Sequence, residues 1–276
     1  MEVSSTNLDF KLALLELNLL NPHEEVIDSL VRKLSNEMEA EEGVRDPLII
    51  DEKDHVILDG MHRFNSLKRL RCRFAPCCLV DYDNPEIKVE SWYRVFNIKE
   101  SEKFAEELLE KFAVNYKKEK DALSGSEIIL ASEGTRFIPT QPIDDVQSAR
   151  RAEELERAVS LKGHKVEYQP SIVAIQRWKS ADANFVIPLP TFTKQRIREL
   201  GEKEILLPHK STCHVIPSRP LRLDVPLSLL RNKEITPAEA NTRLTELLSS
   251  RKIDRKPPGS IIDGRRYEEE LLVFTA

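Results

Sequence analysis

No two cysteines stand at CxxC spacing. The four present are Cys72, Cys77, Cys78 and Cys213, so neither a zinc ribbon nor a thioredoxin-type motif is indicated. Cys77 and Cys78 adjoin in an expected strand and read as core packing, the usual fate of free cysteine. A basic excess is also missing: 42 Lys and Arg face 47 Asp and Glu, for a formal net charge of −5. A dedicated nucleic-acid binder draws much of its affinity from neutralising phosphates, so this balance weighs against a nucleic-acid partner, although a local basic patch could hide in the average. Long apolar runs are lacking too. The opening stretch MEVSSTNLDFKLALLELNLL is broken by Glu16 and Asn18 and is too short to cross a bilayer. It carries neither a basic n-region nor a small-residue cleavage site. The expectation is a cytoplasmic protein with no membrane partner. No internal repeat or long low-complexity tract is evident.

What is present is a chain of 276 residues, 40% hydrophobic and 32% charged, which suits a globular protein with one large or two modest cores. A strand is expected over 12–19. Asn21-Pro22 reads as a helix start, with Ile27, Leu30, Val31, Leu34 and Met38 carrying the helical period to about Ala40. Strands follow at 47–51 and 55–58, a helix with Phe64, Leu67 and Leu70 on its inner face, and strands at 75–82 and 88–96. A helix spans about 101–112. The charged stretch 116–125 (YKKEKDALSG) reads as a connection between domains. Beyond it strands and helices alternate irregularly, ending in helices near 225–230 and 237–248, the latter capped by Thr236-Pro237. Irregular alternation favours an α+β fold over a doubly wound sheet. The expected division is a first domain over 1–115, a smaller α+β domain over 116–235 and a helical tail over 236–276.

Four segments carry chemistry. In VILDGMHRFNSLKRL (56–70) a strand ends, Asp59-Gly60 turns, and His62 and Arg63 fall in the first turn of a helix. Unpaired amides and the helix dipole favour an anion there, and Arg63 adds a bidentate donor. The plainer reading makes Asp59 an N-cap and leaves Arg63 solvated. In NPHEE (21–25), Asn21 and Glu24 have the spacing of a capping box, which would account for Glu24 without function. The other reading makes Glu24 a general base assisted by His23. Trp92 in ESWYRVF is either core or ligand contact. KSTCHVIP (210–217), held between Pro208 and Pro217, is either a defined polar loop or a solvated turn.

Taken together and in this order, these segments resemble the ParB/sulfiredoxin superfamily, in its branch of free L-serine kinases. Asp59-Gly60-Met61-His62-Arg63 is similar to the superfamily's Asp-Gly-x-His-Arg signature. Pro22-His23-Glu24 precedes it, Trp92-Tyr93 follows a strand ending in Asp81-Tyr82, and Thr212-Cys213-His214-Val215-Ile216-Pro217 lies in the last third. The resemblance spans about residues 12–231. It implies a ParB/sulfiredoxin-like first domain and a kinase that phosphorylates the hydroxyl of L-serine from ATP or ADP with Mg²⁺, giving O-phosphoserine for cysteine or related supply. It implies that Glu24 is the base for the serine hydroxyl. Asp59, Gly60, Met61, His62 and Arg63 would surround the nucleotide phosphates, with Asp59 at the metal and with Asp59 and His62 counted as catalytic. His23 and Trp92 would hold serine, and Thr212 and His214 would contact phosphate. Two positions depart from the pattern. Met61 stands where one relative has His, and Cys213 stands where Arg is expected, which weakens one of the implied phosphate contacts.

Three competitors remain. A sulfiredoxin-like reductase needs a thiolate immediately before the His-Arg pair, and Met61 occupies that place. A ParB-type DNA-associated protein would add a helix-turn-helix domain, and none is evident after residue 100. A nucleotide-dependent regulator without transferase activity is the third. Serine, Mg²⁺ and ATP or ADP, followed by a search for O-phosphoserine, would separate them.

Overall fold

The strand Asp9–Glu16 (DFKLALLE) alternates so that Phe10, Leu12 and Leu14 face inward. It pairs antiparallel with Phe74–Val80, every residue of which is buried. That strand runs parallel to Leu48–Asp51, which pairs antiparallel with Ile57–Asp59; Glu2–Ser4 closes the other edge. A strand buried on both faces explains the adjacent Cys77 and Cys78, both fully out of solvent. In this computed structural model residues 1–4, 8–120 and 129–275 are described. The architecture is α+β, with several sheets and helices packed against them.

The chain divides into two units that are not consecutive in sequence. The first comprises Met1–Lys88, Lys194–Leu206 and His214–Ala276; the second comprises Val89–Thr193 and Leu207–Cys213. They therefore differ from the linear segments 1–115, 116–235 and 236–276. Composition along a chain reveals a charged stretch, but not a strand that returns to an earlier sheet.

In the first unit the helices Asp28–Ala40 and Met61–Arg69 pack together, pinned by the Ser66 hydroxyl donating to the Val31 carbonyl at 3.1 Å. The first helix starts at Asp28, not at Pro22. Its N-cap is Ile27, which makes no side-chain cap. Asn21 instead bridges to Val56 as a strand residue, its amide donating to the His55 carbonyl and its carbonyl accepting from Ile57, each at 3.0 Å. The capping-box reading of Asn21 and Glu24 is thereby overturned.

The Thr236 cap is present in full: Glu239 N–H donates to Thr236 Oγ1, and Thr236 N–H to Glu239 Oε2. The helix it opens, Pro237–Ser249, is the last one among the described residues. The tail is therefore not helical to its end. Lys252–Lys256 pairs antiparallel with Glu270–Thr275, which lies parallel to Ser218–Leu221. The run Leu271-Leu272-Val273-Phe274 is buried, the pattern of a two-sided strand rather than of an amphipathic helix.

The second unit is built on a sheet ordered Glu167–Pro170, Lys88–Phe96, Phe185–Ile187, Leu130–Ser132, Thr135–Pro139 and Tyr116–Lys120. The last strand corrects the reading of 116–125 as a connection. It pairs antiparallel with Thr135–Pro139, and its charges suit an edge, with Lys118 bound to Glu102 and Glu106. Residues 121–128, which include the rest of that stretch, lie outside the described residues. Arg94 is fully buried in this unit. It pairs with Glu156 at 2.9 Å and donates to the carbonyls of Trp92, Lys210 and His209.

Candidate active site

The turn between Ile57–Asp59 and Met61–Arg69 requires glycine. Gly60 is the N-cap at φ 106°, a conformation L side chains rarely adopt. A Cβ there would meet Leu48 Cδ2 at 2.7 Å and Arg63 Nη2 at 3.0 Å. The bare backbone lets the Arg63 guanidinium fold back over the turn. No side chain caps the helix, so its first amides are left for a ligand. Arg63 Nη2 donates to Asp59 Oδ2 at 2.9 Å and to the Pro47 carbonyl at 3.1 Å. Its Nε is buried with no hydrogen-bond partner. A buried guanidinium nitrogen without a protein acceptor, beside an uncapped helix start, is a donor set that suits an anion.

Asp59 is not the helix cap that the plainer reading allowed. Its Oδ2 accepts from Arg63 and also from Arg219 Nη1 at 2.9 Å. Arg219 is 6% exposed and reaches Glu269 with its Nε at 2.7 Å. Burial opposes its charge, but the Asp59 and Glu269 carboxylates outweigh that and hold its pKa above the ordinary arginine value. Among the described residues no group of three or more His, Cys, Asp and Glu could hold a metal ion. Asp59, engaged by two guanidiniums, is not arranged as one ligand of a resident metal cage.

Two imidazoles in contact lie beside Glu24. The rings of His23 and His214 meet edge to face with centroids 5.8 Å apart. His23 Nε2 lies 4.0 Å from Glu24 Oε1, and the Glu24 side chain is 12% exposed. Burial lowers the His23 pKa to about 4 and, with His23 adding to the effect, lowers that of His214 to about 3; both rings are neutral near pH 7. His62 Nε2 accepts the Ile27 amide at 3.2 Å, so that nitrogen is unprotonated. Met61 is buried, packing rather than presenting a polar group.

His23, Glu24, Asp59, Gly60, Met61, His62, Arg63 and His214 thus share the first unit, whereas Trp92 and Thr212 belong to the second. There Lys210 Nζ lies 4.1 Å from the Trp92 ring centroid. Thr212 opens the strand Thr212–Val215, so KSTCHVIP is in part a strand and not a loop. Two residues of the first unit escaped the sequence reading. Arg219 gave no signal, being a single arginine between Ser218 and Pro220. Tyr82, whose hydroxyl lies 2.7 Å from His214 Nε2, was visible only as the end of a strand.

No protein-family model matches the chain. A ParB-like protein of Sulfolobus acidocaldarius is 26% identical over 202 residues, which is 71% of this chain and 86% of the relative. An ATP-dependent L-serine kinase of Desulfurococcus mucosus is 23% identical over 251 residues, 84% of this chain and 96% of the relative. An ADP-dependent L-serine kinase of Thermococcus kodakarensis is 23% identical over 226 residues, 78% and 91% respectively. Among solved structures, a free serine kinase in complex with AMP superposes with a TM-score of 0.66 at 23% identity, covering 83% of this chain and 96% of its own. The two proteins share a fold.

Proposed function

We propose that the chain belongs to the free L-serine kinase branch of the ParB/sulfiredoxin superfamily and transfers a phosphoryl group from ATP or ADP to the serine hydroxyl, giving O-phospho-L-serine. The observation that carries the reading is the buried, unpartnered Arg63 Nε beside the uncapped start of Met61–Arg69, in one unit with Glu24. The kinases of similar length among the relatives support it.

Phosphoryl transfer needs positioning and charge neutralisation more than covalent help. The amides of Met61, His62 and Arg63 and the Arg63 guanidinium would receive the terminal phosphates, with His214 at their side. Glu24 would accept the serine proton as the Oγ–P bond forms and the bridging P–O bond to the departing nucleotide breaks. His23, neutral beside Glu24, would orient that carboxylate and serine. Mg²⁺ enters as part of the nucleotide substrate, since it is normally held by phosphates, waters and one or two carboxylates; Asp59 offers a carboxylate already fixed by two arginines. A kinase drawing on ATP or ADP would work in the cytoplasm, and its product suits cysteine or related amino-acid supply.

The test is direct. The purified chain is incubated with L-serine, Mg²⁺ and either ATP or ADP, and O-phosphoserine is sought by mass spectrometry. Product with at least one donor is expected. Nucleotide binding without product from either would replace this reading with that of a non-catalytic regulator.

A further inference from the structure

Tyr82 is 0% exposed, and the polar partner of its hydroxyl is His214 Nε2 at 2.7 Å. Two cations of one helix lie over its ring: Arg198 Cζ is 5.2 Å and Lys194 Nζ 5.3 Å from the centroid. Arg198 is itself fixed by Asp51 and Asp83, each at 2.6 Å, and by Asp54 at 3.1 Å. The Lys194 ammonium donates to the Asn84 carbonyl at 2.7 Å. The phenol therefore has one place to be.

Two proton arrangements are open to the pair. If the imidazole donated through Nε2–H, the phenol proton would be left buried without an acceptor, a costly outcome. If the phenol donates, the proton left over is the ring's own, and the Leu58 backbone stands beside the ring to favour it, while a nearby cation strengthens a phenol as a donor. The ring then carries its own proton on Nδ1. Nδ1 is buried and makes no hydrogen bond of ordinary geometry, although the Leu58 backbone lies close enough to favour a proton on the ring. We propose that Tyr82 is a positioning residue that fixes His214 as the neutral Nδ1–H tautomer, making it a hydrogen-bond donor to a phosphate oxygen of the bound nucleotide and not a base. This rests on the kinase reading only for the identity of the acceptor; the tautomer stands apart from it.

The variant Tyr82→Phe keeps the ring and removes the donor. Histidine-¹⁵N NMR of the full-length chain, with the His214 signals assigned from a His214→Gln variant, reads the tautomer directly. The intact protein should show Nδ1–H and an unprotonated Nε2, and Tyr82→Phe should show a mixture or the reverse. Calorimetry with ADP and with AMP supplies the second readout. Tyr82→Phe should weaken ADP about three- to tenfold, the size of one hydrogen bond, and leave AMP nearly unchanged. A tyrosine that merely filled space would lower Tm and move neither the tautomer nor the ADP-to-AMP ratio. Nε2–H in the intact protein overturns the proposal even if Tyr82→Phe fails to fold. Absence of O-phosphoserine with the tautomer as stated would overturn the kinase reading alone.

Discussion

Glu24, the general base of the proposed reaction, is largely buried, near the neutral His23, and outside any helix that could claim it as a cap. Glu24→Gln keeps the shape and removes the basicity. The turnover of serine should fall by about 10²–10⁴ with the melting temperature little changed, measured as O-phosphoserine per minute beside a thermal scan. Retained turnover would reassign the base. His23 makes a second prediction. Its folded pKa, about 4, lies below its ordinary value of 6.5, so the unfolded chain takes up the proton first. Its contribution to stability is complete above about pH 6.5, is lost as pH falls towards 4, and changes no further below that. Urea midpoints across this window should decline with acidity, and His23→Gln should flatten the decline. An identical slope in the variant would show that other groups drive it.

At the level of elements, the turn at Gly60 is the most exacting. Gly60→Ala would force a Cβ into a left-handed residue and against Leu48, at a cost of about 1–3 kcal/mol, and would displace the Arg63 guanidinium. Both a lower denaturation midpoint and weaker ADP binding are expected; a change in neither would mean the turn relaxes freely. Thr236→Ala is the contrasting case. It removes the capping box of Pro237–Ser249 and should cost about 1 kcal/mol while leaving serine turnover intact. The sequence made both elements readable because their signals are local: a turn, a cap and a helical period within a few residues. Asn21-Pro22 misled for the opposite reason. It has the form of a helix start, yet a bridge to Val56 claims its backbone, and no local pattern announces that. Arg219 was invisible because its partner Asp59 lies 160 positions away. The Tyr116–Lys120 edge strand was hidden by its own charges, which on an edge are no obstacle to pairing.

At the scale of the molecule, the tail belongs to the unit that bears the candidate site. Glu270–Thr275 borders Ser218–Leu221, and Glu269 and Glu270 hold Arg219 and Ser218. A chain ending at Ser250 would leave buried Arg219 with one of its two carboxylate neighbours gone, a loss of about 3–5 kcal/mol for a broken buried pair, besides the missing strand. Such a chain should lose near-ultraviolet circular dichroism and ADP binding together. A truncated protein that binds ADP as the full chain does would show the tail to be dispensable.

The polypeptide passes from one unit to the other after Lys88, Thr193, Leu206 and Cys213. Domains often condense in order as they leave the ribosome, but the first unit cannot. Its earliest sheet is translated long before His214, Arg219 and the closing Glu270–Thr275 strand exist. A newly made chain therefore holds the first unit incomplete while the second is translated, and the Asp59–Arg219–Glu269 linkage at the candidate site can close only once Glu269 has emerged.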